Sequence, residues 1–262
     1  MQTIEVATSS RIYNVHIACG LLPRVGEIAR NTAGGSRAMV VSNTDVAPLY
    51  SAAVLESLSA AGYETDIHVV ESSETVKNMS ELALLLEHCA EAELTRDDLV
   101  VALGGGVVGD LAGFAAATYM RGCKLVQVPT SLLAMVDSSV GGKTAVDLAH
   151  GKNLAGAFFQ PRAVVASVEA LDTIAPDLFA DSCGEVIKYG VMCDPDLFAS
   201  LEKTPLTESR DDHERLEGVI ARCVEIKRDV VSNDECERGL RQTLNLGHTI
   251  GHAVESANEY RL

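Results

Sequence analysis

The segment Asn245-Leu246-Gly247-His248-Thr249-Ile250-Gly251-His252 sets two imidazoles at i and i+4, the spacing by which a helix presents both to one centre. Thr249 stands where an H-E-x-x-H protease carries its general base, so zinc-dependent peptide hydrolysis is not the chemistry. A carboxylate from another helix would turn the pair into a His/Glu metal site, and Glu185 is the candidate. Spacing alone equally allows a satisfied histidine pair. It also favours reading Glu185 and Lys188, at i and i+3, as a surface ion pair.

A second kind of chemistry is written at Gly104-Gly105-Gly106-Val107-Val108-Gly109-Asp110, which follows an apolar run and opens a helical one. Glycines there let a backbone approach a pyrophosphate, and a helix N-terminus supplies free N–H groups. The turn departs from the usual dinucleotide fingerprint because it is not the first strand-to-helix turn and no acidic residue follows about 20 positions on. A ribose would have to be read elsewhere, by Asn43 at an earlier strand end or Glu74 in the loop after Val70. Packing alone is the other reason for such a turn. Gly141-Gly142-Lys143-Thr144 has the ending of a P-loop, but the first glycine of that pattern would fall on Asp137, so triphosphate binding fails at a named position. Hydroxyls and a lysine on a polar loop, with Lys152-Asn153 nine residues later, still have the chemistry to hold a phosphate.

Elements must bring these segments together. Residues 2–8 and 12–18 read as a strand hairpin, and strands and helices then alternate. The strands are Arg37–Val41, Glu64–Val70, Leu99–Leu103 and Lys124–Val128; the helices are 46–61, 78–92 and Val107–Met120. That order predicts a parallel sheet covered by helices. After about residue 174 helical periodicity takes over, at 177–192, 195–202, 211–231 and 241–257. The expected organisation is an α/β domain over 1–173 followed by a helical one over 174–262, whose helical layer is unfinished at residue 262.

Composition narrows the function. A net charge of −16, 4% aromatics and no Trp argue against nucleic acid as a partner. Seven scattered cysteines, none in a C-x-x-C pair, point to a reducing compartment rather than a disulfide framework. No stretch reaches the roughly 20 apolar residues of a membrane helix, and the start of the chain lacks a signal-peptide pattern. A soluble cytoplasmic protein with no membrane partner is expected.

Taken in order, LGGGVVGDLAGF, YMRG, VPTSLLAMVDSSVGGKTAVD, GKNLAGAF, GEVIKYG and LRQTLNLGHTIGHAVE resemble the 3-dehydroquinate synthase family, and the resemblance runs from Ala38 onward. It implies a Rossmann-like N-terminal domain with a parallel sheet, an all-α C-terminal domain and an active site between them. It also implies conversion of 3-deoxy-arabino-heptulosonate 7-phosphate to 3-dehydroquinate and phosphate, the second step of the shikimate pathway, with NAD reduced and reoxidised within a turnover. A related sugar-phosphate cyclase or a metal-dependent polyol dehydrogenase are the alternatives.

Position by position, the resemblance assigns the NAD pyrophosphate and nicotinamide half to Gly105, Gly106, Val107, Val108, Gly109 and Asp110. It assigns the adenosine side to Asn43, Glu74 and Lys77, with Thr130, Ser131 and Thr173 completing the pocket. Asp137, Lys143, Lys152 and Asn153 fall where the family contacts cofactor and substrate. Glu185 and His248 match two ligands of a divalent metal, Zn or Co, while His252 matches a substrate-binding, proton-transferring histidine rather than a ligand. Lys188, Lys227, Glu237, Arg241 and Asn245 match the remaining polar wall, and Arg121 an arginine that reaches the partner subunit's substrate phosphate, which implies a homodimer. Ser131 stands where Thr is usual, and 71–77 keeps only the Glu and Lys of the common D-G-E-x-Y-K loop. The third metal ligand, a His in an H-G-E segment, is expected beyond residue 262.

Overall fold

The computed structural model describes residues 1–248, 250, 251 and 254. Strands β1 (Gln2–Ala7) and β2 (Ile12–Ala18) pair antiparallel, and their alternation buries Ile4, Val6, Tyr13, Val15 and Ile17 on one side. Then follow α1 (Val25–Thr32), β3 (Arg37–Asn43), α2 (Ala47–Ala60), β4 (Glu64–Val70), α3 (Met79–Glu91), β5 (Leu99–Gly104), α4 (Gly106–Thr118) and β6 (Lys124–Pro129). A hairpin of β7 (Lys143–Leu148) and β8 (Gly151–Phe158) precedes β9 (Ala163–Ser167). From Pro176 the described elements are helical: α5 (Pro176–Cys193), α6 (Pro195–Lys203), α7 (His213–Asn233) and short 3₁₀ turns.

Seven strands form one sheet in the order β1-β2-β9-β6-β5-β3-β4, parallel throughout except at the β1–β2 pair. Every residue of β5 is buried, as an unbroken apolar run requires when helices cover both faces. Along the strands Val40, Val101, Val126 and Val165 face α1 and α2, whereas Met39, Val41, Val100 and Leu125 face α3 and α4. A third core joins β1, β2 and β9 to the helical part through Phe179, Tyr189, Leu216, Ile220 and Val224. Asn78, Asp194 and Asp212 cap α3, α6 and α7 with side-chain oxygens.

The strands and helices expected from the hairpin through Lys124–Val128 are present. Three strands and one helix are additions. The polar loop expected beyond Pro129 is a one-turn π-helix over Ala134–Ser138, and Lys143 opens strand β7 rather than ending a loop. The β7–β8 hairpin escaped the sequence reading because β8, GKNLAGAF, is half-exposed along its length and carries no apolar alternation. In place of a helix beginning at 241, a 3₁₀ turn spans Leu240–Asn245.

Candidate active site

In the winding of the sheet, the chain leaves β3 toward β4 on one side and runs from β5 to β6 and β9 on the other. The C-terminal ends of β3 and β5 therefore flank the switch point at which open α/β sheets bind ligands. Asn43 ends β3, Gly104 ends β5, and Thr130 follows β6, with its amide bonded to the Gly104 carbonyl at 3.0 Å. Ser131 comes next. Asn43 Oδ1 accepts from the amides of Asp45 (3.2 Å) and Val46 (2.9 Å), closing the turn into α2. Thr173 lies further off, its hydroxyl 2.6 Å from that of Tyr50 on α2.

Helix α4 starts at this point with Gly105 as N-cap and no side-chain cap, so its first amides lack an intrahelical partner. The glycines of the turn divide by role. A Cβ on Gly104 would sit 2.8 Å from Val108, closer than packing allows, and one on Gly109 3.0 Å from the Gln127 side-chain oxygen, so close packing of the helix demands the first glycine and favours the second. A Cβ on Gly105 would meet only Ser131 Oγ at 3.5 Å, and one on Gly106 only the Ser138 side chain, Oγ at 3.3 Å. The middle of the turn, Gly105-Gly106, is thus lined by hydroxyls and has room for a ligand's oxygens.

One turn on, Asp110 pairs with the buried Lys77 at 2.6 Å, and Lys77 also donates to Asn153 Oδ1 at 2.5 Å. Burial pushes the Asp110 carboxyl up to about 6 despite the lysine. Asn153 holds a left-handed conformation at φ 58°, one that asparagine tolerates, and its amide is bonded to Asp147 at 2.7 Å. Lys152 pairs with Glu74 at 3.5 Å.

A cavity of about 500 Å³ opens here, lined among others by Asp110, Asp137, Lys143, Asn153, Lys227 and Glu237. The π-turn supplies Asp137, the hairpin Lys143 and Asn153, and α7 and the loop after it Lys227 and Glu237. Lys227 Nζ donates at 2.6 Å to both Oδ1 and the carbonyl of Asp137, and Tyr189 OH donates to the same Oδ1 at 2.9 Å. Burial opposes charge on Asp137, but Lys227 and Lys188 overcome it and hold the carboxyl well below the usual range. The ammonium of Lys227 is itself pulled down by burial, against Asp137. Lys143 meets Glu237 at 2.6 Å, Asn245 Nδ2 donates to Glu237 at 2.9 Å, and Asn245 Oδ1 lies 3.3 Å from His248 Nδ1. This polar chain links the hairpin to the first histidine.

Glu185 and Lys188 are not a surface pair: both side chains are 9% exposed, in ion-pair contact on α5. Lys188 also donates to the Leu244 carbonyl at 2.6 Å, tying α5 to the turn that leads to His248. Burial pushes the Glu185 carboxyl up, and the charge of Asp137 adds to that. Its buried Oε1 has the lysine as ion partner but no well-directed hydrogen bond. A carboxylate and an imidazole nitrogen are both donor types that Zn²⁺ takes. Among the described residues no three His, Cys, Asp or Glu side chains converge on one ion position. His252 lies outside the described residues.

Arg121 and Arg241 are not among the residues lining the cavity, although the Arg241 guanidinium lies 5.8 Å from the ring of Phe158, which does line it. Arg121 is exposed in a left-handed turn, φ 65°. Arg241 is 1% exposed and packs against Gly141, whose φ of +91° and missing Cβ make room: a Cβ there would lie 2.5 Å from Nη2. Its Nη1 donates to the Glu235 carbonyl at 2.6 Å, while Nε and Nη2 are buried without a partner. The sequence reading did not single out Tyr189, Tyr13, whose hydroxyl accepts the Gly141 amide at 3.0 Å, or Glu235. Tyr189 lies inside the quoted GEVIKYG motif; the other two carry no local signal.

The N-terminal family of 3-dehydroquinate synthase matches residues 67–181 and the C-terminal family residues 182–262. A 3-dehydroquinate synthase of Geobacter metallireducens is 47% identical over 260 residues, covering 99% of this chain and 72% of that protein. The synthase of Neisseria meningitidis serogroup C is 43% identical with the same coverage. Among solved structures, 2-deoxy-scyllo-inosose synthase with carbaglucose-6-phosphate, NAD⁺ and Co²⁺ bound superposes with a TM-score of 0.86 at 28% identity, over 98% of this chain and 69% of that one. The 2-epi-5-epi-valiolone synthase of Streptomyces hygroscopicus, with NAD⁺ and Zn²⁺, superposes with a TM-score of 0.88 at 26% identity, over 98% of this chain and 71% of that one. With both halves of the chain matched and the sheet, glycine turn and polar cavity in these positions, the chain belongs to the 3-dehydroquinate synthase family.

Proposed function

We propose that the protein converts 3-deoxy-arabino-heptulosonate 7-phosphate to 3-dehydroquinate and phosphate, with NAD reduced and reoxidised in one turnover and a Zn²⁺- or Co²⁺-type ion bound. The carrying observation is the single cavity that sets Asp110, one turn beyond the glycine turn, against Asp137, Lys227, Lys143 and Glu237. Identities of 43–47% to 3-dehydroquinate synthases, against 26–28% to the other cyclases, favour this substrate.

Gly105, Gly106, Val107, Val108, Gly109 and Asp110 would hold the nicotinamide half of NAD, on the uncapped start of α4. Asn43, Glu74, Lys77, Thr130, Ser131, Lys152 and Thr173 would bound the rest of its pocket, and Glu185 and His248 would hold the ion. When bound, NAD supplies a reversible hydride acceptor and the ion a Lewis acid for the substrate's hydroxyls.

The chain's own residues orient and polarise. Lys188 and Lys227 place positive charge where a substrate hydroxyl loses its proton, in a site whose burial strengthens that charge. Lys143, Asn245 and His252 are assigned the phosphate, with Arg121 of the partner subunit in a homodimer. Arg241 and Lys227 are assigned the carboxylate, and the two Arg241 nitrogens without a hydrogen-bond partner, Nε and Nη2, form one edge of the guanidinium, which matches a planar anion with two parallel bonds. Oxidation to a ketone beside the C–H would acidify it, the departing phosphate would take that proton, return of the hydride would reduce the ketone again, and ring opening and an aldol step would then close the carbocycle. Among the described residues no helix is long and apolar enough to cross a membrane; a cytoplasmic enzyme is proposed.

Incubation of the protein with the heptulosonate phosphate, NAD and Zn²⁺ or Co²⁺, followed by phosphate release and by absorbance of NADH, tests the reading. Phosphate should appear without net NADH. No phosphate, or NADH accumulating in step with substrate loss, sinks it.

A further inference from the structure

Glu235 lies two residues beyond α7, in a loop without regular structure, and yet its carboxylate is more fully bonded than any carboxylate lining the cavity. Oε2 accepts from the Ser9 hydroxyl and, at 3.1 Å, from the Ser10 amide. Oε1 accepts from the Ser10 hydroxyl and, at 3.0 Å, from Gln160 Nε2. All of these donors belong to the strand-rich part of the chain: the β1–β2 turn and the residues just after β8. At the same residue the carbonyl takes the one satisfied guanidinium nitrogen of Arg241, Nη1, at 2.6 Å. Burial works against charge on Glu235, but these hydrogen bonds outweigh it and hold the carboxyl at about 2, so it stays ionised through any working pH.

The neighbouring Asp234 has a different task. Its carboxylate accepts the amides of Arg238 (2.8 Å), Gly239 (2.7 Å) and Arg241 (3.1 Å), folding the loop upon itself. Asp234 gives the loop its shape, and Glu235 fixes where that shape sits against the sheet.

We propose that Glu235 is a positioning residue for substrate recognition: clamped by Ser9, Ser10 and Gln160, it anchors the loop and orients Arg241 so that Nε and Nη2 remain the free edge for the substrate carboxylate. This rests on the reading of Arg241 as the carboxylate-binding residue. The clamp spans the two halves of the chain, so the N-terminal hairpin, far from the glycine turn in sequence, contributes to the substrate side of the site. An arginine held by one nitrogen through a fixed carbonyl loses little further rotamer freedom on binding, which is how pre-organisation raises affinity.

The test measures dissociation constants of the heptulosonate phosphate and of NAD, by calorimetry, for wild type, Glu235→Ala, Glu235→Gln, the double variant Ser9→Ala/Ser10→Ala, and Arg241→Ala. Ser9 and Ser10 are exposed turn residues, so their variant tests the clamp even where Glu235→Ala folds poorly. Substrate affinity should fall about tenfold in Glu235→Ala and about threefold in the double serine variant, as expected for loss of charge-assisted hydrogen bonds. Glu235→Gln, which keeps one oxygen, should recover part of the loss. NAD affinity should stay within about twofold, a split that a merely structural staple would not produce. Unchanged substrate affinity in Glu235→Ala and the serine variant, with Arg241→Ala weakened, overturns the clamp alone. Unchanged affinity in Arg241→Ala overturns the reading of Arg241 instead. Parallel loss of substrate and NAD affinity also overturns the clamp.

Discussion

Lys227 donates to two oxygens of one residue, the carbonyl and Oδ1 of Asp137, each at 2.6 Å. The lysine side chain is 5% exposed and the aspartate 30%, so the pair is buried mainly on the lysine side. Together they fasten α7 to the π-turn that follows β6, and this fixes the width of the cavity between them.

Replacing Lys227 by Met keeps the stem's packing and removes the charge. Asp137 then keeps the Tyr189 bond and loses its principal counter-charge. Breaking one side of such a pair costs about 3 kcal/mol, the low end of the range because Asp137 retains some solvent. Urea unfolding should report that loss. Lys227→Met/Asp137→Asn should recover about half of it, since neither residue is then left charged alone. A double variant as unstable as the sum of its parts would mean that the two residues are not coupled.

Acid sensitivity has a distinct source. Asp98 is 1% exposed and accepts from the amides of Ser36, Arg37 and Thr95 and from the Thr95 hydroxyl, fastening the start of β3 to the approach to β5. Burial raises its carboxyl, but the hydrogen bonds prevail and hold it at about 2, below the 3.8 of the unfolded chain. A depressed carboxyl contributes stability that is present above 3.8 and fades as pH falls through 2. Asp98→Asn should therefore cost about 2 kcal/mol at pH 7, with the difference from wild type shrinking toward pH 2. A gap that stays constant between pH 7 and pH 2.5 would remove the carboxylate as its cause.

Much of this architecture is legible in the residues themselves. The buried run LVVAL, ending in glycine, could only be a central strand, and the helices of the second half announce themselves by apolar spacing. What stayed hidden has physical reasons. In the β7–β8 hairpin β7 buries only Thr144 and Val146 and β8 buries no residue, with glycine and alanine where a strand signal needs bulk. Glu185 and Lys188 look like a surface pair because i,i+3 spacing says which face they share and not what lies over it; the carbonyl of Leu244, 56 residues later than Lys188, accepts from the lysine. The Glu235 clamp depends on Ser10, 225 positions away, and contacts of that range leave no periodic trace.

Glu185 and His248 define the metal prediction. Exhaustive chelation should abolish phosphate release, and added Zn²⁺ or Co²⁺ should restore it. In Glu185→Gln the amide is a poorer donor than a carboxylate, so Co²⁺ affinity, read from its visible absorption, should fall more than about tenfold, beyond the effect of most outer-shell changes. Turnover that survives chelation, or Co²⁺ binding unaltered by the substitution, would dismiss Glu185 as a ligand.

The two reasons for a glycine-rich turn, packing and ligand approach, separate at neighbouring positions. Gly104→Ala forces a Cβ to 2.8 Å from Val108 at the centre of a buried strand end, so the fold must shift. It should lose about 1–3 kcal/mol, the usual cost of overpacking. Gly105 has φ −76°, which alanine adopts freely, and its added methyl would meet only Ser131 Oγ at 3.5 Å. Stability of Gly105→Ala should therefore change by less than about 1 kcal/mol, the cost of a weaker N-cap. NAD must approach the same backbone within hydrogen-bonding distance of the first α4 amides, where a methyl stands in the way. NAD affinity of Gly105→Ala should fall by at least about tenfold, equivalent to the ~1.4 kcal/mol of one lost phosphate contact. Thermal unfolding and NAD titration on the two variants give the comparison. If Gly105→Ala binds NAD as wild type does, the glycine turn serves packing alone and the cofactor lies elsewhere.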